Sequence, residues 1–182
     1  MFDLRPSKLV GCYELQPKVF EDARGCFVKV FHEQAFAAQG LETGFAEEYY
    51  SVSHKNVLRG MHFQLPPMDH VKMVYCVEGE VLDAVVDLRV GSPTYGCFDL
   101  FELSAAKANS LYIPKGLAHG FCVRSALAIM VYKVSTVYSP AHDAGVLWDS
   151  MEIPWPISEP VMSARDATFP RLNEFVSPFS YT

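Results

Sequence analysis

The sequence predicts an all-β fold, an antiparallel jelly-roll sandwich or barrel, on three observations. Runs rich in Val, Tyr, Phe and Leu recur from Glu47 to Val134. Gly, Pro, Asn or Asp interrupts them about every eight to twelve residues, the spacing of short antiparallel strands joined by turns. Only one segment carries a helical pattern.

Taken in order, the segment from Cys12 to Phe31 alternates apolar and polar residues and reads as a hairpin. Val19-Phe20 leads to a turn at 21–25, and Cys26 to Phe31 returns. Residues 32–40 are the helix candidate, stopped by Gly40. Strands are then expected at 47–53, 57–63, 72–77, 80–87, 96–103, 110–113, 120–123 and 128–134. Glu78-Gly79 reads as a tight hairpin turn, and Val90-Gly91-Ser92-Pro93-Thr94 as a longer one in which Pro restricts the backbone. The stretch from Trp148 to Pro160 is crowded with Pro and Trp. After it, Ser163-Ala164-Arg165-Asp166 has the form of a cap on a short helical turn. No repeat, low-complexity tract or linker divides the chain, so residues 1–182 are expected to form one domain.

Half of the 182 residues are apolar and 13% aromatic, enough to bury a core without disulfides or metal. No stretch reaches the roughly 18 consecutive apolar residues of a membrane helix. The first residues, Met1-Phe2-Asp3-Leu4-Arg5-Pro6, lack the pattern of a secretory signal, so a soluble cytoplasmic protein is expected. A net charge of −6 and a pI near 5.5 argue against a nucleic-acid surface, and any basic cluster would serve a small anionic ligand. The five cysteines show no CxxC pair and read as free thiols in a reducing compartment.

The residues that carry chemistry are two histidines in similar company. His62 lies in Leu58-Arg59-Gly60-Met61-His62-Phe63-Gln64, and His119 in Ile113-Pro114-Lys115-Gly116-Leu117-Ala118-His119-Gly120-Phe121. Imidazole moves protons near neutral pH, and both rings are embedded among Arg, Lys and Tyr rather than further metal ligands. The site is expected to do organic proton chemistry, with no metal and no cofactor.

These segments resemble the dTDP-4-dehydrorhamnose 3,5-epimerase family, nucleotide-sugar epimerases with a cupin-type jelly roll. So do 20–27, 86–96, Tyr132-Lys133, Tyr138-Ser139-Pro140, Gly145-Val146-Leu147-Trp148 and Ser163-Ala164-Arg165-Asp166. The resemblance implies cofactor-independent 3- or 3,5-epimerisation of a nucleoside-diphosphate 4-keto-6-deoxyhexose, in the synthesis of deoxysugars for surface polysaccharide such as O-antigen. A ketone at C4 acidifies the hydrogens at C3 and C5, so a base can remove one and the enolate can be reprotonated on its other face. The resemblance implies His62 as base, Asp166 as the carboxylate orienting its ring, Tyr132 as the opposite-face acid, made more acidic by a neighbouring lysine, and Lys72 as the cation stabilising the C4 oxyanion. It gives His119 a polarising or positioning role, Arg24 and Arg59 the diphosphate, and Phe27, Gln64 and Tyr138 contacts to the nucleotide or sugar. It also implies a homodimer in which an N-terminal strand lends residues to the neighbouring site.

The chain departs from the family pattern in three places. Lys29 stands where an acidic residue is usual, Glu47-Glu48-Tyr49-Tyr50 replaces amide side chains, and His70 replaces a common glutamine. Lys29 donating to cytosine while Glu47 accepts from its amino group would make CDP the carrier instead of dTDP. Other readings are a 3,4-ketoisomerase on the same fold, a metal-dependent cupin enzyme using His62, His70 and His119, and a non-catalytic sugar-nucleotide binder. Taken one at a time the residues are also ordinary: a structural histidine, a solvated lysine, a sheet tyrosine, a helix-capping Asp166.

Overall fold

The computed structural model describes residues 1–181. Thirteen strands run in order among them: β1 (Phe2–Pro6), β2 (Tyr13–Pro17), β3 (Val19–Asp22), β4 (Gly25–Val28), β5 (Glu47–His54), β6 (Leu58–Gln64), β7 (Lys72–Glu78), β8 (Glu80–Asp87), β9 (Phe98–Ser104), β10 (Ser110–Ile113), β11 (Leu117–Val123), β12 (Leu127–Val134) and β13 (Asp143–Gly145). The one α-helix among the described residues, α1 (Glu33–Ala37), is shorter than its apolar pattern suggests, and the chain leaves it through Gly40 at φ +70°.

Two antiparallel sheets form a sandwich. One has the order β1-β2-β10-β7-β12-β5, the other β13-β6-β11-β8-β9. Period-2 alternation sorts each strand into two faces. Val74, Cys76, Ala128 and Met130 of the first sheet pack against Val81, Val85, Leu103, Phe121 and Val123 of the second, closing one end of the interior. The outer faces are covered too. Phe36 of α1 packs with Leu15, Met73 and Tyr112, while Met61, Ala84, Val86 and Ala118 lie under the C-terminal segment carrying Met151, Ile153 and Phe179.

Two expectations are corrected. Glu78-Gly79 is not a hairpin turn, because β7 belongs to the six-stranded sheet and β8 to the five-stranded one. The chain crosses between sheets at Gly79, whose φ is +80° and where a Cβ would stand 2.0 Å from the Leu127 carbonyl oxygen. The expected hairpin exists, with its turn shortened to Ala23-Arg24, but β3 and β4 form a separate two-stranded ribbon joined to neither sheet. Strands β1 and β13 went unread, being short and carrying few β-branched residues.

The contact that positions everything near the histidines is the crossing of β6 and β11. Gly60, at φ +143°, would place a Cβ 2.6 Å from the Gly120 Cα, and a Cβ on Gly120 would meet Met61 Sδ at 2.6 Å and the Arg59 carbonyl oxygen at 2.8 Å. Here the pairing slips by one residue between His119 and Phe121, and His62 pairs directly with His119. We expect Gly120→Ala to cost about 1–3 kcal/mol from this overpacking, lowering Tm by roughly 2–4 °C per kcal/mol. Gly44→Ala, facing only a flexible Glu42 carboxylate, should leave thermal unfolding unchanged.

Candidate active site

At the end of the sandwich not filled by the core lies a cavity of about 410 Å³, a size suited to a small organic ligand. Strands of both sheets aim residues into it, β5 by alternation and β6 across the irregularity at Gly60. From the five-stranded sheet come Arg59, His62 and Gln64 on β6 and His119 on β11; from the six-stranded sheet come Glu47, Tyr49 and Ser51 on β5, Lys72 on β7 and Tyr132 on β12. His70, Tyr138, Asp143 and Arg165 complete the rim. His62 and Tyr132 therefore approach the cavity from opposite walls.

His62 Nε2 lies 3.0 Å from Asp166 Oδ2. Asp166 opens a 3-10 turn (Asp166–Thr168), where its backbone N–H donates to Ser163 Oγ at 3.0 Å, and its carboxylate accepts from the Gly60 N–H at 3.2 Å. Burial alone would raise the carboxyl's pKa. The hydrogen bonds from His62, Ser163 and Gly60 outweigh it and hold the value at about 2. Asp166 is thus more than a cap. Phe169 packs edge-on against the His62 ring at 5.8 Å.

His119 forms a second, drier pair. Its Nε2 lies 2.8 Å from Asp83 Oδ2, with both side chains buried. Burial pushes Asp83 up and His119 down, each restrained by the other, so both lean toward their neutral forms. Asp83 is a functional candidate that the sequence reading missed. Its signal was a lone carboxylate inside Val81-Leu82-Asp83-Ala84-Val85-Val86, a run otherwise apolar.

Lys72 is 7% exposed, and among the described residues no carboxylate lies within ion-pair distance of its ammonium. Burial lowers its pKa to about 8, tempered by the fields of Asp83 and Asp143. It is a buried cation facing a cavity. Tyr132, also buried, bonds through its hydroxyl to Ser51 Oγ at 3.0 Å and stacks on Tyr49 with centroids 4.8 Å apart. Its partner is a serine and not the lysine expected, and burial drives its pKa well above the ordinary phenol value.

The remaining expected residues divide. Arg59 lines the cavity, its Nε donating to Ser53 Oγ at 2.9 Å, and Tyr138 lines it with its hydroxyl 3.2 Å from Asp143 Oδ2. Glu47 does too, but its carboxylate already accepts from the Tyr138 backbone N–H at 2.6 Å. Gln64 is buried with its amide engaged by the protein. Its oxygen accepts from the Ser139 N–H at 2.6 Å and its nitrogen donates to the Met68 carbonyl at 2.8 Å, so it shapes the floor without presenting a free polar end. Arg24, Phe27 and Lys29 do not reach the cavity of their own chain. They sit on the detached β3–β4 ribbon or just past it, exposed, with Arg24 paired to Asp22. Among the described residues no cluster of three or more His, Cys, Asp or Glu is arranged to hold a metal ion, and no helix is long and apolar enough to cross a membrane.

A family model described as dTDP-4-dehydrorhamnose 3,5-epimerase matches residues 6–174. A dTDP-4-dehydrorhamnose 3,5-epimerase of Shigella flexneri is 45% identical over 154 residues, covering 83% of this chain and 85% of that one. A dTDP-4-dehydrorhamnose 3-epimerase of Streptomyces niveus is 42% identical over 166 residues, covering 90% and 80%. Among solved structures, a dTDP-6-deoxy-D-glucose-3,5-epimerase of Legionella pneumophila in complex with dTDP-4-keto-L-rhamnose superposes with a TM-score of 0.95 at 32% identity, covering all of both chains.

The depressed pKa of Asp166 carries a stability consequence. A carboxyl whose pKa falls from 3.8 to about 2 on folding adds about 2 kcal/mol that is complete above pH 4 and lost as pH falls toward 2. In urea unfolding, the gap between wild type and Asp166→Asn should therefore be about that size at pH 5 and vanish near pH 2.

Proposed function

The chain belongs to the dTDP-4-dehydrorhamnose 3,5-epimerase family, and from that premise we propose that it epimerises a dTDP-linked 4-keto-6-deoxyhexose through its own acid–base groups, inverting C3 at least. The observation that carries this is the placement of His62 and Tyr132 on opposite walls of one cavity, with Lys72 also lining it from β7, the strand beside that of Tyr132. With Nε2 of His62 turned to Asp166, Nδ1 takes the proton from C3. The C–H electron pair moves into the enolate, and charge gathers on the C4 oxygen, where the Lys72 ammonium acts on it. That charge exists only after abstraction, so the cation lowers the barrier rather than merely tightening binding. Tyr132 then protonates the carbon from the other side and recovers its proton through Ser51 and solvent, while His62 gives up to solvent the proton it took. A high phenol pKa suits this role, since the group is fully protonated at neutral pH and the carbanion is far more basic.

The relatives' names point to dTDP as carrier. The CDP reading needs the Glu47 carboxylate free to accept from cytosine, whereas it already accepts from the Tyr138 amide. The test is proton NMR in deuterated water with dTDP- and CDP-linked 4-keto-6-deoxyglucose. Wild type should exchange and invert C3 with the dTDP sugar, and exchange at C5 as well marks a 3,5-epimerase. Tyr132→Phe should still wash deuterium into C3 while inversion falls roughly 10²–10⁴-fold, and His62→Ala should lose both. Exchange that survives His62→Ala would overturn the assignment of the base.

We further propose that the enzyme works as a homodimer, each β3–β4 ribbon reaching into the partner's cavity to place Arg24 on the diphosphate and Phe27 beside the nucleotide. Phe20 and Phe27 are 51% and 61% exposed on a ribbon attached to neither sheet, an apolar tip unsuited to open solvent. Arg24→Ala and His62→Ala should each be nearly inactive. Mixed under subunit exchange, they should regain about a quarter of wild-type activity, because half the dimers carry one intact site. No recovery after verified exchange would place Arg24 in its own chain's site or in none.

A further inference from the structure

Tyr132 is held from two sides by a single strand. Tyr49 and Ser51 stand two residues apart on β5 and so face the same way, into the cavity. Ser51 Oγ lies 3.0 Å from the Tyr132 hydroxyl, while the Tyr49 ring lies against the Tyr132 ring with 15° between the planes and 4.8 Å between the centroids. That separation and angle describe an offset parallel stack. It forms because Tyr49 is the direct cross-strand partner of Tyr132 in the antiparallel pairing of β5 with β12. From the other sheet, His119 meets the Tyr132 ring edge-on at 6.4 Å.

The two holds restrain different motions. To give its proton to carbon, the Tyr132 hydroxyl must donate into the cavity and accept from Ser51 at the same oxygen. That bond fixes the oxygen but leaves the ring free to turn about it. A flat neighbour against the ring face blocks the turn, because a swing toward that side drives one ring into the other. Proton transfer depends steeply on such placement, since an error of about 1 Å can cost roughly 10²-fold. Nor does the apolar core account for the stack. Tyr49 is 41% exposed and belongs to no core cluster among the described residues, whereas Tyr132 is 6% exposed and belongs to one.

We propose that Tyr49 is a positioning residue for Tyr132: its ring braces the phenol so that the hydroxyl faces the carbon to be protonated. Tyr49 moves no proton itself and acts only through the ring of the acid. This rests on the epimerase reading above and concerns one step of it. Once His62 has taken the proton from C3, the enolate has two fates. His62, its proton exchanged with solvent, returns one to the same face and regenerates the starting sugar, or Tyr132 delivers one to the other face and yields the inverted sugar. In either case the enolate's electron pair forms the new C–H bond and the C4 carbonyl is restored. Removing the brace slows the second fate alone.

The test is proton NMR of dTDP-linked 4-keto-6-deoxyglucose in deuterated water with the full-length protein, reading at C3 the ratio of inversion to deuterium wash-in without inversion. Both rates scale with the amount of folded enzyme, so the ratio is independent of how well a variant folds. Tyr49→Leu removes the flat face and should lower the ratio roughly 3–10-fold, the scale of one lost aromatic contact, while wash-in persists. Tyr49→Phe keeps the face and should retain the wild-type ratio. An unmoved ratio in Tyr49→Leu, or Tyr49→Phe behaving as Tyr49→Leu does, would overturn the proposal. The two readings fail in different ways. A wild type showing neither wash-in nor inversion defeats the epimerase reading and the brace with it, whereas a wild type showing both, with a ratio that Tyr49→Leu leaves unchanged, counts only against Tyr49.

Discussion

The approach of two backbones at Gly60 and Gly120 is the constraint on which the rest of the site depends. With no Cβ on either residue, β6 and β11 cross close enough for His62 and His119 to stand directly opposite each other, and the slip in pairing beside Gly120 re-aims the side chains from Phe121 onward. The same crossing presents the Gly60 N–H to Asp166, so one steric fact sets both the spacing of the two rings and a hydrogen bond that keeps the orienting carboxylate ionised. A third glycine extends the scheme. A Cβ at Gly145, on β13 beside β6, would stand 2.4 Å from the Phe169 ring that packs against His62.

The two histidine–carboxylate pairs share a design and differ in environment. His62 and Asp166 meet at the cavity rim, where the ring is partly open to solvent and the carboxylate is firmly charged. His119 and Asp83 meet in the dry interior, where burial draws both toward neutrality. The first pair suits a group that must exchange protons every turnover. The second suits a fixed donor or acceptor that keeps its place. Lys72 lies within the field of Asp83 without pairing to it, which leaves its charge available to whatever enters the cavity.

Much of this was legible in the sequence, for identifiable reasons. Period-2 alternation marks strands whatever their sheet, so eight core strands were read to within a few residues, and the Gly and Pro that bound them marked the turns. Sheet membership was not legible. Gly79 looks the same in a hairpin as in a corner, and only the long-range partners of β7 and β8 tell the two apart. Among site residues, His62, Lys72, Tyr132 and His119 were found because motif context singled them out. Ser51 was passed over because its contact with Tyr132 spans 81 positions along the chain and no local pattern encodes it, while the lone carboxylate of Asp83 in an apolar run marked a buried charge without naming its partner 36 positions away.

Strand β5 forms one wall of the cavity and is also an edge of its sheet, paired with β12 on one side. Its inward residues Glu47, Tyr49 and Ser51 face the ligand space, while Tyr50 and Val52, 70% and 48% exposed, face outward. A strand with a single neighbour accepts replacements that a central strand would reject, since few side chains pack against it on either side. The cavity residues on β6, β7, β11 and β12, strands with a neighbour on each side, have no such latitude. The architecture therefore divides β5 itself: Tyr49 and Ser51 are tied to Tyr132 on the inner face, whereas the outward Tyr50 and Val52 carry no such tie, so change can accumulate on the outside of this wall without disturbing the cavity.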